Sequence, residues 1–234
     1  MTRVAGLLCL VLASTAAVLH ADPRVVSLRA ADGTALAAAL YEPAQRPAPA
    51  VVLLHMLTRS RRDWDLTAER LREAGFLVLS VDLRGHGDSG GSAVSSAGLT
   101  PLLQDAQAAV AYLKTRPGAS PGRIGMAGAS LGASLAAMAA AGDPSVRSLA
   151  LLSPALDYRG LKCEAAMRKY GDRAVLLIAA TRDPYAVRSV KQLATGGSNR
   201  QVLMTEAVGH GTVLLSRHPP LVDQLVDWFR RTLL

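Results

Sequence analysis

Cysteine, aromatic residues and long runs of one charge are scarce in this chain, and each shortage excludes a class of protein. Two of the 234 residues are cysteine, Cys9 and Cys163. No cysteine cluster exists for a zinc or iron–sulfur centre, and no metal or cofactor is expected. Phenylalanine, tryptophan and tyrosine make up 4% of the residues, too few for a surface that stacks bases. The net charge of +8 is dispersed, with one local cluster at Arg59, Arg61 and Arg62. A dispersed excess is not a nucleic-acid footprint, so no nucleic-acid partner is expected. The cluster reads as a solvated surface loop, the usual place of a charge run, or less simply as an attractor of acidic substrates.

One uncharged run, near the start, stands outside the alternation of strand and helix patterns in the rest of the chain. Met1-Thr2-Arg3 is followed by an uncharged stretch from Leu7 to Val18, and Leu19-His20-Ala21 ends on a small residue before Asp22-Pro23. That is the pattern of a secretory signal peptide over residues 1–21, cut after Ala21. The run is short for a membrane span, and Leu8 before Cys9 does not suit a lipid-anchored cysteine. Export to the periplasm or medium is the expectation. Residues 22–234 are then a single domain with one cysteine, unable to form an internal disulfide and held by its core.

What is present is an alternation. "RVVSLRAADGTALAAALYEP" reads as a hairpin turning at Asp32-Gly33. "APAVVLLHM", "FLVLSVDL", "RIGMAGAS", "VRSLALLSPA", "AVLLIAAT" and "RQVLMTEA" read as strands, most of them buried on both faces. Between them lie helical patterns: "DWDLTAERLREAG", a segment starting at Thr100-Pro101, "LGASLAAMAAAG", "YAVRSVKQLA" and the closing "PPLVDQLVDWFRRTLL". Strand and helix in turn predict a mostly parallel, doubly wound α/β sheet of about eight strands with helices on both faces.

One stretch competes with that reading. "RGHGDSGGS", residues 84–92, contains the Gly-Asp-Ser-Gly-Gly run that carries the nucleophile of trypsin-like proteases. A double β-barrel cannot be built from alternating strands and helices, so Ser89 is read as part of a glycine-rich loop leaving a strand. Ligands of an open parallel sheet bind beyond the carboxyl ends of its strands. There, Gly128-Ala-Ser-Leu-Gly132 joins a strand to a helix. A sharp turn of this kind forces Ser130 above the sheet and leaves no room for side chains at the two glycines.

A serine needs a base and the base an orienting acid. Asp183 follows the strand "AVLLIAA" and His210 follows "RQVLMTEA", giving the order Ser130, Asp183, His210. Asp157 and Asp172 are rival acids, and Asp172 sits at the wrong strand end. His86, in the other Gly-His-Gly run, comes too early to be the base. His55 ends a strand and reads as a brace for neighbouring loops. The oxyanion hole should draw on the N–H of Leu131 and on that of Met56 or Leu57.

With "LLHM", "DLRGHGDS", "GASLG" and "VGHGT" in that order, the chain resembles the α/β-hydrolase superfamily from residue 24 to 234. The resemblance makes residues 84–92 a scaffold loop and places the second oxyanion donor at Leu57. Only residues 156–174 separate two late strands, so no sizeable cap is expected. The chain is similar to small lidless serine esterases and the dienelactone-hydrolase-like branch, although dienelactone hydrolases carry cysteine at the nucleophile position. The expectation is a serine hydrolase acting on a small-molecule ester through an acyl-enzyme. The alternatives are a peptidase or amidase of the same superfamily, and a degenerate fold kept for binding.

Overall fold

The computed structural model describes residues 22–94 and 98–234; the expected leader, residues 1–21, lies outside them. The chain opens with the hairpin β1 (Arg24–Arg29) and β2 (Ala35–Tyr41). Its turn is closed by Gly33 N–H donating to the Ala30 carbonyl at 2.9 Å. There follow β3 (Ala48–Leu54), a 3-10 turn (Arg61–Trp64), α1 (Asp65–Glu73), β4 (Leu77–Val81) and α2 (Leu102–Thr115). Next come β5 (Ala119–Ala129), α3 (Leu131–Gly142), β6 (Val146–Leu152), α4 (Cys163–Tyr170) and β7 (Ala174–Ala180). The chain closes with α5 (Pro184–Ala194), β8 (Arg200–Thr205), α6 (Val213–Arg217) and α7 (Pro220–Leu233).

One sheet holds all eight strands in the order β1-β2-β4-β3-β5-β6-β7-β8. The β1–β2 and β2–β4 pairings are antiparallel, and those from β4 to β8 are all parallel. Alternate residues along a strand face opposite sides of the sheet. Val52 and Leu54 accordingly belong to the core shared with residues of α2, α3, α4 and α5, whereas Val51 and Leu53 belong to the one shared with α1, α6 and α7. All four are fully buried, and each such side chain contributes ~1.5–3 kcal/mol through burial. A strand loaded on both faces reads in sequence as an unbroken apolar run, which is why β3 shows no alternation.

The helix ends follow local chemistry. At the end of α1, Phe76 N–H donates to Leu71 and Gly75 N–H to Arg72, both at 3.0 Å, the paired bonds of a Schellman turn. Thr100 and Pro101, where the sequence starts this helix, precede α2 without a side-chain cap. Leu102 N–H donates to the Leu99 carbonyl and Leu103 N–H to the Thr100 carbonyl, so backbone bonds close the first turn. Between β6 and β7, residues 153–173 hold only the eight-residue α4, and no large cap covers the sheet end. After β3 the chain moves to β4 on one side, and it then crosses to β5 on the other. The chain leaves β3 and β5 towards opposite faces of the sheet at that point, the topological position at which open α/β sheets bind ligands.

Candidate active site

Ser130 stands at this switch point, between the last residue of β5 and the first of α3. Its backbone is at φ 51°, ψ −110°, a left-handed conformation that costs of order 1–3 kcal/mol for a residue with a Cβ. The surroundings impose it. Ser130 N–H donates to the Leu152 carbonyl at 2.9 Å, and its own carbonyl accepts from Ala133 and Ser134. A Cβ on Gly128 would lie 2.2 Å from the Gly132 carbonyl oxygen, and one on Gly132 only 2.3 Å from that of Leu54. The turn therefore packs directly on the end of β3, and both glycines are sterically required. Helix α3 starts at Leu131, so its unpaired first N–H groups surround the serine and favour negative charge there.

Asp183 caps α5, its Oδ1 accepting Ala186 N–H at 3.1 Å. Its Oδ2 lies 2.6 Å from His210 Nδ1, so the ring donates its Nδ1 proton to the carboxylate and keeps Nε2 as the acceptor. The rival Asp157 instead accepts Gly160 N–H within its own loop, and Asp172 binds Ser198. The His210 loop is pressed against the nucleophile turn: a Cβ on Gly211 would lie 2.7 Å from Met56 Sδ and 3.4 Å from Ala129 Cβ. The His210 side chain is 45% exposed and Asp183 15%, which leaves the pair open to a substrate from solvent. Among the described residues no hydrogen bond joins the Ser130 hydroxyl to His210. Catalytic bonds of this type are commonly loose before substrate arrives.

Ser153 was not singled out by sequence. It follows β6, is buried, and also has positive φ, 48°. Its Oγ accepts Gly211 N–H at 3.0 Å while its N–H donates to the Ile178 carbonyl. This serine ties the His210 loop to the sheet, and its one sequence signal is its place at a strand end before Pro154.

The loop after β3 carries the other expected donor. His55, fully buried, donates Nδ1–H to the Met56 carbonyl at 2.7 Å and accepts Leu83 N–H on Nε2 at 3.0 Å. Burial lowers its pKa from 6.5 to about 4, which keeps it neutral. In a trans peptide the C=O and N–H point in opposite directions. Fixing the Met56 carbonyl therefore aims the Leu57 N–H the other way. Among the described residues, Leu57 N–H and Leu131 N–H donate no hydrogen bond, so both are available to an incoming oxyanion.

Residues 84–92 are structural throughout. Ser89 Oγ accepts Ala37 N–H at 2.8 Å and donates to the Asp82 carbonyl at 2.6 Å, stitching β2 to the end of β4. Asp82, fully buried, accepts the N–H groups of Arg61 and Asp88 and pairs with the Arg61 guanidinium. Arg84 is buried against Asp105 and also reaches Asp32. The reading of Arg59, Arg61 and Arg62 as a solvated loop is thus corrected at its centre. Arg61 is buried between Asp82 and Asp88, and Arg59 is held by Asp63. Among the described residues no group of three or more His, Cys, Asp or Glu side chains is disposed to hold a metal ion. No helix among them is long and apolar enough to cross a membrane.

The sequence pattern of the serine aminopeptidase S33 family matches residues 45–211. Among curated proteins, a thiohydrolase of Arthrinium phaeospermum is 35% identical over 102 residues, 44% of this chain and 33% of that protein. The chain thus matches a third of that relative's length. An esterase of Pyrococcus furiosus superposes with a TM-score of 0.76 at 19% identity, covering 91% of this chain and 92% of its own. A dienelactone hydrolase of Anabaena variabilis gives 0.76 at 19% identity, covering 92% and 100%. A thermostable carboxylesterase from a metagenomic library gives 0.72 at 21%, covering 92% and 90%. At such identities the likeness is one of fold.

Proposed function

The chain belongs to the serine aminopeptidase S33 family of the α/β-hydrolase superfamily, and from that premise we propose an exported serine hydrolase that cleaves small carboxylic esters. The reading is supported by the strained Ser130 between two sterically required glycines, and by a His210 already paired with Asp183 on a loop that packs against Ala129 of the same turn. His210 Nε2 takes the Ser130 proton as Oγ attacks the ester carbonyl. The N–H groups of Leu57 and Leu131 receive the oxygen that becomes negative. His210, held as an imidazolium by Asp183, then gives its proton to the leaving alcohol, and water releases the acyl group by the same route.

The open sheet end favours small esters over peptides. Only α4 lies between β6 and β7, so little protein surface is available to grip an extended chain. Thioesters are the second reading, favoured by the thiohydrolase relative; they pass through the same acyl-enzyme. Export rests on the leader-like residues 1–21, and N-terminal sequencing from the native host tests it, with Asp22 the expected first residue and Met1 the refuting one. A panel of aryl and alkyl esters, thioesters and matching amides tests the substrate class. Ester or thioester turnover, lost in Ser130→Ala, is the expected result; amide turnover alone would overturn it.

A further inference from the structure

His86 and His55 form a reciprocal clamp across two loops. His55, on the loop after β3, accepts the N–H of Leu83 after β4. His86, on the loop after β4, accepts the N–H of Thr58 after β3 on its Nε2, at 3.1 Å. His86 Nδ1 donates to the Arg84 carbonyl at 3.0 Å, and the two rings meet edge to face with centroids 5.0 Å apart. Both rings serve backbone groups with both nitrogens, so neither has one left for proton transfer.

The peptide groups that these rings hold are the two that flank Leu57. His55 fixes the Met56–Leu57 peptide by its carbonyl, and His86 fixes the Leu57–Thr58 peptide by its N–H. Thr58 has φ 62°, a left-handed conformation that a β-branched residue adopts only under constraint. Its hydroxyl donates to the Leu57 carbonyl at 2.7 Å, which leaves Leu57 N–H as the unengaged pole of the segment. We propose that His86 is a positioning residue: by accepting the Thr58 N–H it holds the strained loop in the one shape that aims Leu57 N–H at the developing oxyanion. The inference rests on the serine-hydrolase reading for its consequence in turnover, but the clamp itself is testable without it.

The decisive comparison is His86→Gln against His86→Asn. A glutamine places Oε1 near the position of Nε2 and can still accept the Thr58 N–H. An asparagine reaches only as far as Nδ1 and can serve the Arg84 carbonyl alone. Loss of a whole oxyanion donor costs ~10²–10³-fold in kcat, so a misaimed donor should cost roughly 10–100-fold. His86→Asn and His86→Ala should show that fall, counted per phosphonate-titrated site, with KM nearly unchanged, because the donor acts on the transition state. His86→Gln should recover most of the rate. Amide exchange reads the clamp independently: Thr58, on an exposed loop, should be protected in the wild type and in His86→Gln and unprotected in His86→Asn. Equal exchange in all three proteins overturns the clamp. Protected exchange with equal kcat in Gln and Asn variants overturns its role in positioning. Absence of phosphonate labelling in the wild type would instead fail the hydrolase reading, with the exchange result still deciding the clamp.

Discussion

Gly85-His86-Gly87 and Gly209-His210-Gly211 spell the same tripeptide and place their rings in opposite chemical situations. His86 gives Nδ1–H to a backbone carbonyl and receives a backbone N–H on Nε2. His210 gives Nδ1–H to a carboxylate. A backbone N–H donated to Nε2 occupies the nitrogen that would take a proton, whereas a carboxylate on Nδ1 with Nε2 left open stabilises the imidazolium that a base must become. The glycines differ as well. A Cβ on Gly87 would lie 2.1 Å from Asp82 Oδ2, inside the buried ion-pair network, while one on Gly211 would meet Met56 Sδ. One tripeptide is packed around a structural carboxylate and the other against the nucleophile turn. The partners of the two ring nitrogens, not the local sequence, separate brace from base.

That contrast can be broken by substitution, starting with the largest effect. Ser130→Ala and His210→Ala should each lower ester turnover by roughly 10⁴–10⁶-fold, and the double variant little further, because the groups act as a unit. Additive losses, measured as kcat/KM, would show that the two do not share one step. Asp183→Asn removes the partner that distinguishes His210 from His86 and should cost up to ~10⁴-fold. A loss under tenfold would make the carboxylate dispensable.

The structural loop should answer in stability instead. Arg61→Ala leaves the fully buried Asp82 without its guanidinium, which should cost about 3–5 kcal/mol of unfolding free energy. Denaturant titration measures this, and a change below 1 kcal/mol would mean that water reaches Asp82. His55 adds a pH signature. Its folded-state pKa is lowered from 6.5 to about 4 by burial, so below pH 6.5 the unfolded chain binds a proton that the folded chain refuses. Stability should therefore fall as pH drops from about 6.5 to about 4, by up to roughly 3 kcal/mol, and level off below. His55→Gln should lack that one-proton slope; an unchanged slope would show that His55 is not its source. Smallest is Ser89→Ala, which forfeits two hydrogen bonds worth ~0.5–1.5 kcal/mol each and should retain most of the turnover.

The same contrast explains what sequence could and could not disclose. The sheet was legible because its strands, most of them apolar on both faces, and their intervening helices carry distinct periodicities, and β2 and β3 fall where the patterns put them. The candidate site was legible in part through chain order: residues just past β5, β7 and β8 must meet at one sheet end. Roles set by long-range pairing were hidden. Arg61 reads as one of three adjacent surface arginines until Asp82, 21 residues on, is folded against it. Ser153 carries no motif, and its contact with Gly211 spans 58 residues. The cross-bonds of His55 and His86 each join residues 28 apart, and nothing in either loop alone announces the other.

The central claim is that His210, and not its twin, is the base that activates Ser130. The most direct test is the rate at which a serine-directed fluorophosphonate labels the protein, followed by peptide mapping of the modified residue. Wild type should be labelled at Ser130. His86→Ala should be labelled at the same residue, more slowly but to completion, and His210→Ala should remain unlabelled over the same interval. Labelling that survives in His210→Ala and vanishes in His86→Ala, or a label found on Ser89, would contradict the account.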